Sequence, residues 1–263
     1  MRIGFFQFSP HFGEPEHNLD ALTAAVIGAR ADLIVAPELA LSGYLFTNKG
    51  EVERLAEEVP GSATDRLVEA AAKADCHVVI GMAERSGKLL YNSAVLIGPR
   101  GVVGVYRKVH LFFEEKLYFT PGDLGFPLFD VRGVKVGLLV CFDHFFPEAA
   151  RTLALQGAQI ICHPSNLVLP EYGQLTTRVR SVENRVFWIL ANRFGTEQRG
   201  GKTLTYSGCS QITAETGEIL TRAPAEGDGL TVVEIDPGRA ENKRVTELND
   251  LFADRRTELY RWE

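Results

Sequence analysis

Glu38, Lys108 and Cys141 each follow an apolar run that reads as a buried strand. Leu33 to Ala36 leads through Pro37 to Glu38, Val102 to Arg107 leads to Lys108, and Val136 to Val140 leads to Cys141. Ligands of open α/β sheets gather beyond the carboxyl ends of strands, and an ionised group beside a buried strand end is costly unless it is paired or functional. A thiol, an ammonium and a carboxylate together can run nucleophilic acyl chemistry. A thiol with a pKa near 8.5 needs help at neutral pH; an ammonium stabilises the thiolate, and a carboxylate can take the proton. Singly, each residue has a plainer account. A strand-end cysteine packs as a small hydrophobe, a lone glutamate caps a helix or forms a structural ion pair, and a lone lysine snorkels to the surface.

The elements that must hold these groups alternate between strand and helix. Strands are predicted at Arg2–Phe8, Leu33–Ala36, His77–Met82, Lys135–Val140, Gln159–His163 and Val186–Ala191, with two more near Ser210–Ala214 and Leu230–Ile235. Leu90–Ile97 and Val102–Arg107 read as a hairpin around Pro99-Arg100-Gly101. Helices are predicted at Glu16–Ala29, which has Leu19, Leu22 and Val26 at helical spacing, and from Ser62 to about Ala74, with Ser62 as cap and Asp65 three residues on. Two more are expected at Pro147–Leu155 and Gln174–Arg185. This alternation argues for an α/β layered fold. No linker, repeat or low-complexity tract divides residues 1–263, so one domain is expected. The charged tail from Arg239 carries Leu248, Leu251, Phe252, Leu259, Tyr260 and Trp262, which implies that about residues 239–263 dock onto their own domain or a partner subunit.

Composition narrows the class. The 28 Lys and Arg against 34 Asp and Glu give a formal charge of −6, and no basic run offers a nucleic-acid footprint. No apolar stretch approaches the ~18 residues of a membrane span. The start, MRIGFFQFSP, reads as a strand rather than a signal peptide, so a reducing cytoplasm is the expected setting. Cys76, Cys141, Cys162 and Cys209 lack CxxC spacing, against a zinc site or a disulfide framework. There is no GxGxxG after a strand and no GxxxxGK[ST] loop, which disfavours a nucleotide-binding protein. His110, His144 and His163 invite a Cys–His hydrolase reading, but their spacing matches no such motif.

Ordered segments then add a resemblance. PELALSGY (37–44), YRKVHLFFEEKLYFTPGD (106–123), CFDHFFPEAAR (141–151), RSVENRVFWILANRFG (180–195) and NDLFADRRTELY (249–260) together resemble the nitrilase-like carbon–nitrogen hydrolase superfamily, and most of all its small single-domain aliphatic amidase or nitrilase branch. The set spans nearly the whole chain. The resemblance implies a four-layer α-β-β-α sandwich, a Glu–Lys–Cys triad on Glu38, Lys108 and Cys141, and no cofactor or metal. It also implies a second glutamate before the F-x-PG segment, where Glu115 fits better than Glu114. Finally, it implies a homodimer or larger assembly packed through helices near the cysteine motif and through the tail. The sequence departs from many relatives in one place. They carry Arg two residues after the aspartate of the cysteine motif, whereas Asp143 is followed by His144 and Phe145, so that wall becomes apolar.

The chemistry so implied is hydrolysis of a small aliphatic amide. Glu38 takes the Cys141 proton, sulfur attacks the carbonyl carbon, and Lys108 with the backbone N–H of Phe142 stabilises the oxyanion. A thioester forms and Glu38 then activates water, while Glu115 positions the substrate and Glu38. Tyr44, Phe145, His163 and Asn166 are expected to line the substrate pocket. A nitrilase with the same triad, acyl transfer to an amine or alcohol, and a catalytically silent scaffold are the alternatives; the intact triad counts against the last.

Overall fold

The computed structural model describes residues 1–260; Trp262 of the expected apolar tail lies outside them. Two six-stranded sheets form the centre. The first holds β1 (Arg2–Gln7), β2 (Leu33–Val35), β3 (His77–Ser86), β4 (Leu89–Gly98) and β5 (Gly101–Arg107). The second holds β6 (Leu128–Val131), β7 (Val134–Leu138), β8 (Ile160–Ser165) and β9 (Phe187–Asn192). A separate hairpin follows, β10 (Phe194–Arg199) and β11 (Lys202–Ser207). Then β12 (Gln211–Thr213) and β13 (Ile219–Arg222) complete the second sheet, and β14 (Gly229–Glu234) returns to the first. The sheet orders are β14-β1-β2-β3-β4-β5 and β13-β12-β9-β8-β7-β6. In each sheet three neighbouring strands run parallel, β1-β2-β3 and β7-β8-β9, and the flanking pairs are antiparallel.

The parallel crossovers are supplied by α1 (Pro15–Gly28), α2 (Lys49–Leu55), α3 (Ser62–Ala74), α5 (Pro147–Leu155) and α6 (Tyr172–Asn184), while the short α4 (Glu115–Tyr118) lies in the connection between the two sheets. The period-2 alternation of each strand sorts its side chains into layers. On β3, Val79 faces the second sheet and joins Val35, Leu96, Leu138 and Ile189 in the core between the sheets. Val78 and Ile80 face the other way, against Leu19, Leu22, Leu67 and Ala70 of α1 and α3. With α5 and α6 over the second sheet, the layers run α-β-β-α.

Most predicted elements lie within two or three residues of those observed. His77–Met82 continues to Ser86 because its hairpin register with β4 runs on to the Ser86–Leu89 pair. The start of α3 differs from expectation. Gly61 is the cap residue, its N–H donating to the Thr64 hydroxyl at 2.8 Å, while Ser62 is already helical and donates to Glu57 instead. In the tail, Phe252 packs on the core between the Arg151 guanidinium and the Lys243 ammonium, whereas Leu248 and Leu259 stay exposed.

Candidate active site

Cys141 is the first residue of a short helical turn, Cys141–Phe145, that follows β7. Its φ is +43°, a conformation an L side chain holds only where its surroundings fix it. Asp143 does the fixing. One carboxylate oxygen accepts the Val140 N–H at 2.9 Å and the Tyr106 hydroxyl at 2.8 Å, and the other accepts from His110. The thiol is almost wholly buried. Burial pushes its pKa well up, the Glu38 and Glu115 carboxylates push the same way, and Lys108 pulls it down. Cys141 therefore stands at neutral pH as a thiol, one whose proton would have to leave before its sulfur could act as a nucleophile.

Lys108 lies just beyond β5, with its backbone N–H still donating to the Asn92 carbonyl at 2.8 Å. Its Nζ donates to Glu38 Oε1 at 2.8 Å and to Glu115 Oε1 at 2.7 Å, and all three side chains are essentially inaccessible. Burial works against the ammonium, but Glu115 and Glu38 outweigh it and raise its pKa above the ordinary lysine value, so it is a fixed cation. Glu38 approaches from the end of β2. Its neighbour on β3 is Gly81, where an added Cβ would stand 2.4 Å from the Glu38 Cα. Only glycine lets the two backbones lie this close.

The two glutamates differ in what their oxygens do. Glu115 Oε1 accepts from Lys108 and from the Tyr44 hydroxyl at 2.7 Å, and Oε2 accepts the Phe112 N–H at 3.2 Å. Its pKa is raised by burial despite Lys108. Glu38 Oε1 is similarly occupied, by Lys108 and by Asn92 Nδ2 at 2.7 Å. Glu38 Oε2, however, is buried and has no hydrogen-bond partner among the described residues. Glu114 points elsewhere, forming a rim ion pair with Lys202.

A cavity of about 300 Å³, its open mouth included, reaches Cys141 and is walled by Phe112, Phe142, Phe145, Leu167, Val168 and Leu169, with His144 and Asn166 as its polar members. A second, of about 530 Å³, shares Phe112 and Val168 with it and reaches Tyr44 and Glu115. Asn166 donates to the Glu38 carbonyl at 2.9 Å, and its own carbonyl oxygen has no hydrogen-bond partner among the described residues. Phe145 is partly exposed at the mouth. His163 lines neither cavity. It is fully buried, and its Nε2–H donates to the Cys141 carbonyl at 2.8 Å. That bond braces the strained residue from behind. His144 bonds Thr176, and burial lowers the pKa of His144 to about 3 and of His163 to about 4, so both are neutral. No hydrogen bond among the described residues joins a histidine to the Cys141 sulfur. Among the described residues, one group of neighbouring metal-ligating side chains, His11, Glu14 and His17, is exposed near the start of α1 and lines neither cavity.

Sequence reasoning missed two residues. Asn92 was visible as a lone amide in the apolar strand LLYNSAVLIG, where a buried polar group needs a reason. Glu197 lies on β10 and accepts the backbone N–H groups of Tyr44 and Leu45. Its hairpin was announced by Gly200-Gly201 between two runs, the glycines having φ +56° and +74° as a two-residue turn with left-handed centre demands.

Residues 2–245 match the family model described as carbon–nitrogen hydrolase. A nitrilase from Pyrococcus abyssi (strain GE5 / Orsay) is 44% identical over 264 residues, covering 99% of both chains. An (R)-stereoselective amidase from Pseudomonas sp. is 33% identical, covering 98% of this chain and 93% of its own. Among solved structures, a variant of an amidase from Nesterenkonia sp. AN1, showing Michael addition of acrylamide at its active site cysteine, superposes with TM-score 0.81 at 29% identity, covering 98% of both chains. The chain belongs to the carbon–nitrogen hydrolase family and is an enzyme of the nitrilase superfamily.

Proposed function

We propose that the protein hydrolyses a small aliphatic amide to the acid and ammonia through a thioester on Cys141, with Glu38 as general base. The observation that carries this reading is the contrast between the carboxylates. Both oxygens of Glu115 are engaged, whereas Glu38 holds one oxygen fixed by Lys108 and Asn92 and keeps Oε2 open. A buried thiol with a raised pKa needs such an acceptor.

In the proposed reaction the Cys141 proton passes to Glu38 Oε2 as sulfur bonds to the amide carbon. Lys108 and the Phe142 N–H stabilise the oxyanion. The Phe142 N–H stands in the first turn of its short helix, where backbone donors lack intrahelical partners. Glu38 returns the proton to the departing amine, the C–N bond breaks, and ammonia leaves. Water then gives its proton to Glu38 and attacks the thioester, releasing the acid and restoring the thiol. Glu115 holds Lys108 and, through Tyr44, the wall of the site. The catalytic groups of this cycle are Glu38, Lys108, Cys141 and the Phe142 N–H, and the proposal assigns no step to a cofactor or metal. The apolar wall, with Phe145 at its mouth and Asn166 beside Cys141, suits an uncharged acyl chain.

A nitrilase reaction with the same residues is the second reading, favoured by the 44% identity to a nitrilase. The assembly proposed is a homodimer. On α6, Tyr172, Leu175, Val179 and Val182 recur at three- and four-residue spacing and are exposed, an apolar stripe suited to a second copy.

Intact-mass spectrometry after brief incubation with short amides and nitriles, alongside ammonia release, tests the reading. The expected result is an acyl mass on the Cys141 peptide that is absent from Cys141→Ala, with ammonia rates ranking amide against nitrile. Turnover retained in Cys141→Ala would overturn it.

A further inference from the structure

We infer that Glu197 is a positioning residue for this hydrolytic site, acting from the β10–β11 hairpin through Tyr44 on Glu115; the inference rests on the reaction proposed above. Glu197 is buried on β10, paired with the fully buried Arg193, whose guanidinium lies 4.1 Å over the Tyr206 ring. Removing two charges from water is expensive, and for packing alone apolar side chains of similar volume serve as well. The carboxylate does something packing could not. Its oxygens accept the Tyr44 N–H at 3.2 and 3.3 Å and the Leu45 N–H at 2.7 Å, besides the Tyr206 hydroxyl at 3.0 Å.

These amides sit at the end of the turn that begins at Glu38. Gly43 has φ +77°, and an added Cβ there would stand 2.9 Å from Glu197 Oε1, so the carboxylate fills the space beneath the turn. From that seat the Tyr44 hydroxyl reaches Glu115, and Glu115 reaches the Lys108 ammonium. The hairpin grips the same turn elsewhere: Arg199 donates to the Leu45 carbonyl at 3.0 Å and pairs with Glu51, so Leu45 is held at both its N–H and its C=O. Lys202 pairs with Glu114, next to Glu115. A hairpin outside both sheets thus sets the height of Tyr44 and the orientation of Glu115. A misplacement of about 1 Å at such a site can cost ~100-fold in rate.

The test is a double-mutant cycle of Glu197→Gln and Tyr44→Phe on kcat and KM for ammonia release from the amide or nitrile the wild type turns over best. The expected result is that Glu197→Gln lowers kcat roughly 10- to 100-fold with a smaller change in KM. In the Tyr44→Phe background, where the hydroxyl it acts through is gone, the same change should cost less than about threefold. Equal penalties in both backgrounds would overturn the inference and leave Glu197 a purely structural residue. Where Glu197→Gln does not fold, Tyr206→Phe removes one donor to the carboxylate without unpairing Arg193, and the same dependence on Tyr44 is expected at smaller size. A wild type inactive on every amide and nitrile would sink the proposed reaction instead. The cycle is then read on the pH profile of Cys141 alkylation by iodoacetamide: a shift caused by Glu197→Gln only when Tyr44 is present supports the inference, and no shift, or the same shift in both backgrounds, refutes it.

Discussion

Replacing Glu38 by glutamine should separate two properties that usually fall together, turnover and thiol reactivity. The substitution keeps the shape and an oxygen that can accept from Lys108 and Asn92, but it removes the open carboxylate oxygen. Among the described residues no neighbour is free to take over as base. The Glu115 oxygens are occupied by Lys108, Tyr44 and Phe112, and His110, His144 and His163 are bonded to Asp143, Thr176 and the Cys141 carbonyl. Loss of a general base costs roughly 100- to 10,000-fold, or about 2.7 to 5.4 kcal/mol at 1.36 kcal/mol per tenfold. The raised thiol pKa places the expectation in the upper half, about 1,000-fold or more. Glu38 is also one of the charges that holds the thiol pKa up, so its neutralisation should speed alkylation of Cys141 by iodoacetamide near neutral pH. Stopped reactions analysed by intact mass give the acylation rate, and the same instrument follows alkylation. Turnover within tenfold of wild type would refute the assignment of Glu38 as base. Parallel loss of turnover and alkylation would show that Cys141 had moved, and that the argument from proton transfer was misplaced.

Gly81→Ala should lower kcat by up to ~100-fold, because its methyl group would have to displace the Glu38 backbone; steady-state kinetics with an unfolding curve as control checks it, and wild-type kcat would contradict the close approach. His144 and His163 have folded pKa values of about 3 and about 4, depressed from 6.5 by burial, so the stability they contribute is full above pH 6.5 and is lost as pH falls toward those values. By linkage the protein should be about 4 kcal/mol less stable at pH 5 than at pH 7.5 from these two groups. Urea unfolding at both pH values measures this, and His163→Gln should remove roughly half of the slope. Leu175→Glu with Val179→Glu should convert the proposed dimer to monomer in light scattering; an unchanged mass would place the interface away from α6.

The clustering of Glu38, Lys108 and Cys141 was legible because a charge or thiol after an apolar strand run is anomalous in composition and regular in place. Glu38, Lys108 and Cys141 share one buried cluster whose geometry no local pattern encodes: which carboxylate oxygen remains open depends on Asn92, 54 residues from Glu38 in sequence. His163 shows the opposite failure. Its position at the end of β8 suggested a pocket wall, but strand alternation turns it behind Cys141, where the carbonyl needs a donor. The hairpin around Gly200-Gly201 escaped notice because its runs, FGTEQR and KTLTYS, are too polar to advertise a core. It grips the turn at Tyr44 and Leu45 through hydrogen bonds of Glu197 and Arg199 to its backbone rather than by packing alone. The helix α2 was silent for a similar reason, with Val52 its only buried residue.

The division of the site between the sheets also bears on synthesis. Glu38 and Lys108 follow strands of the first sheet, Cys141 follows a strand of the second, and the first sheet closes only when β14, residues 229–234, pairs with β1. A nascent chain exposes its amino-terminal half long before that partner strand leaves the ribosome. The proposed nucleophile is thus made well before β14 completes the first sheet, and the hydrolytic competence proposed above becomes a late event in the life of the chain.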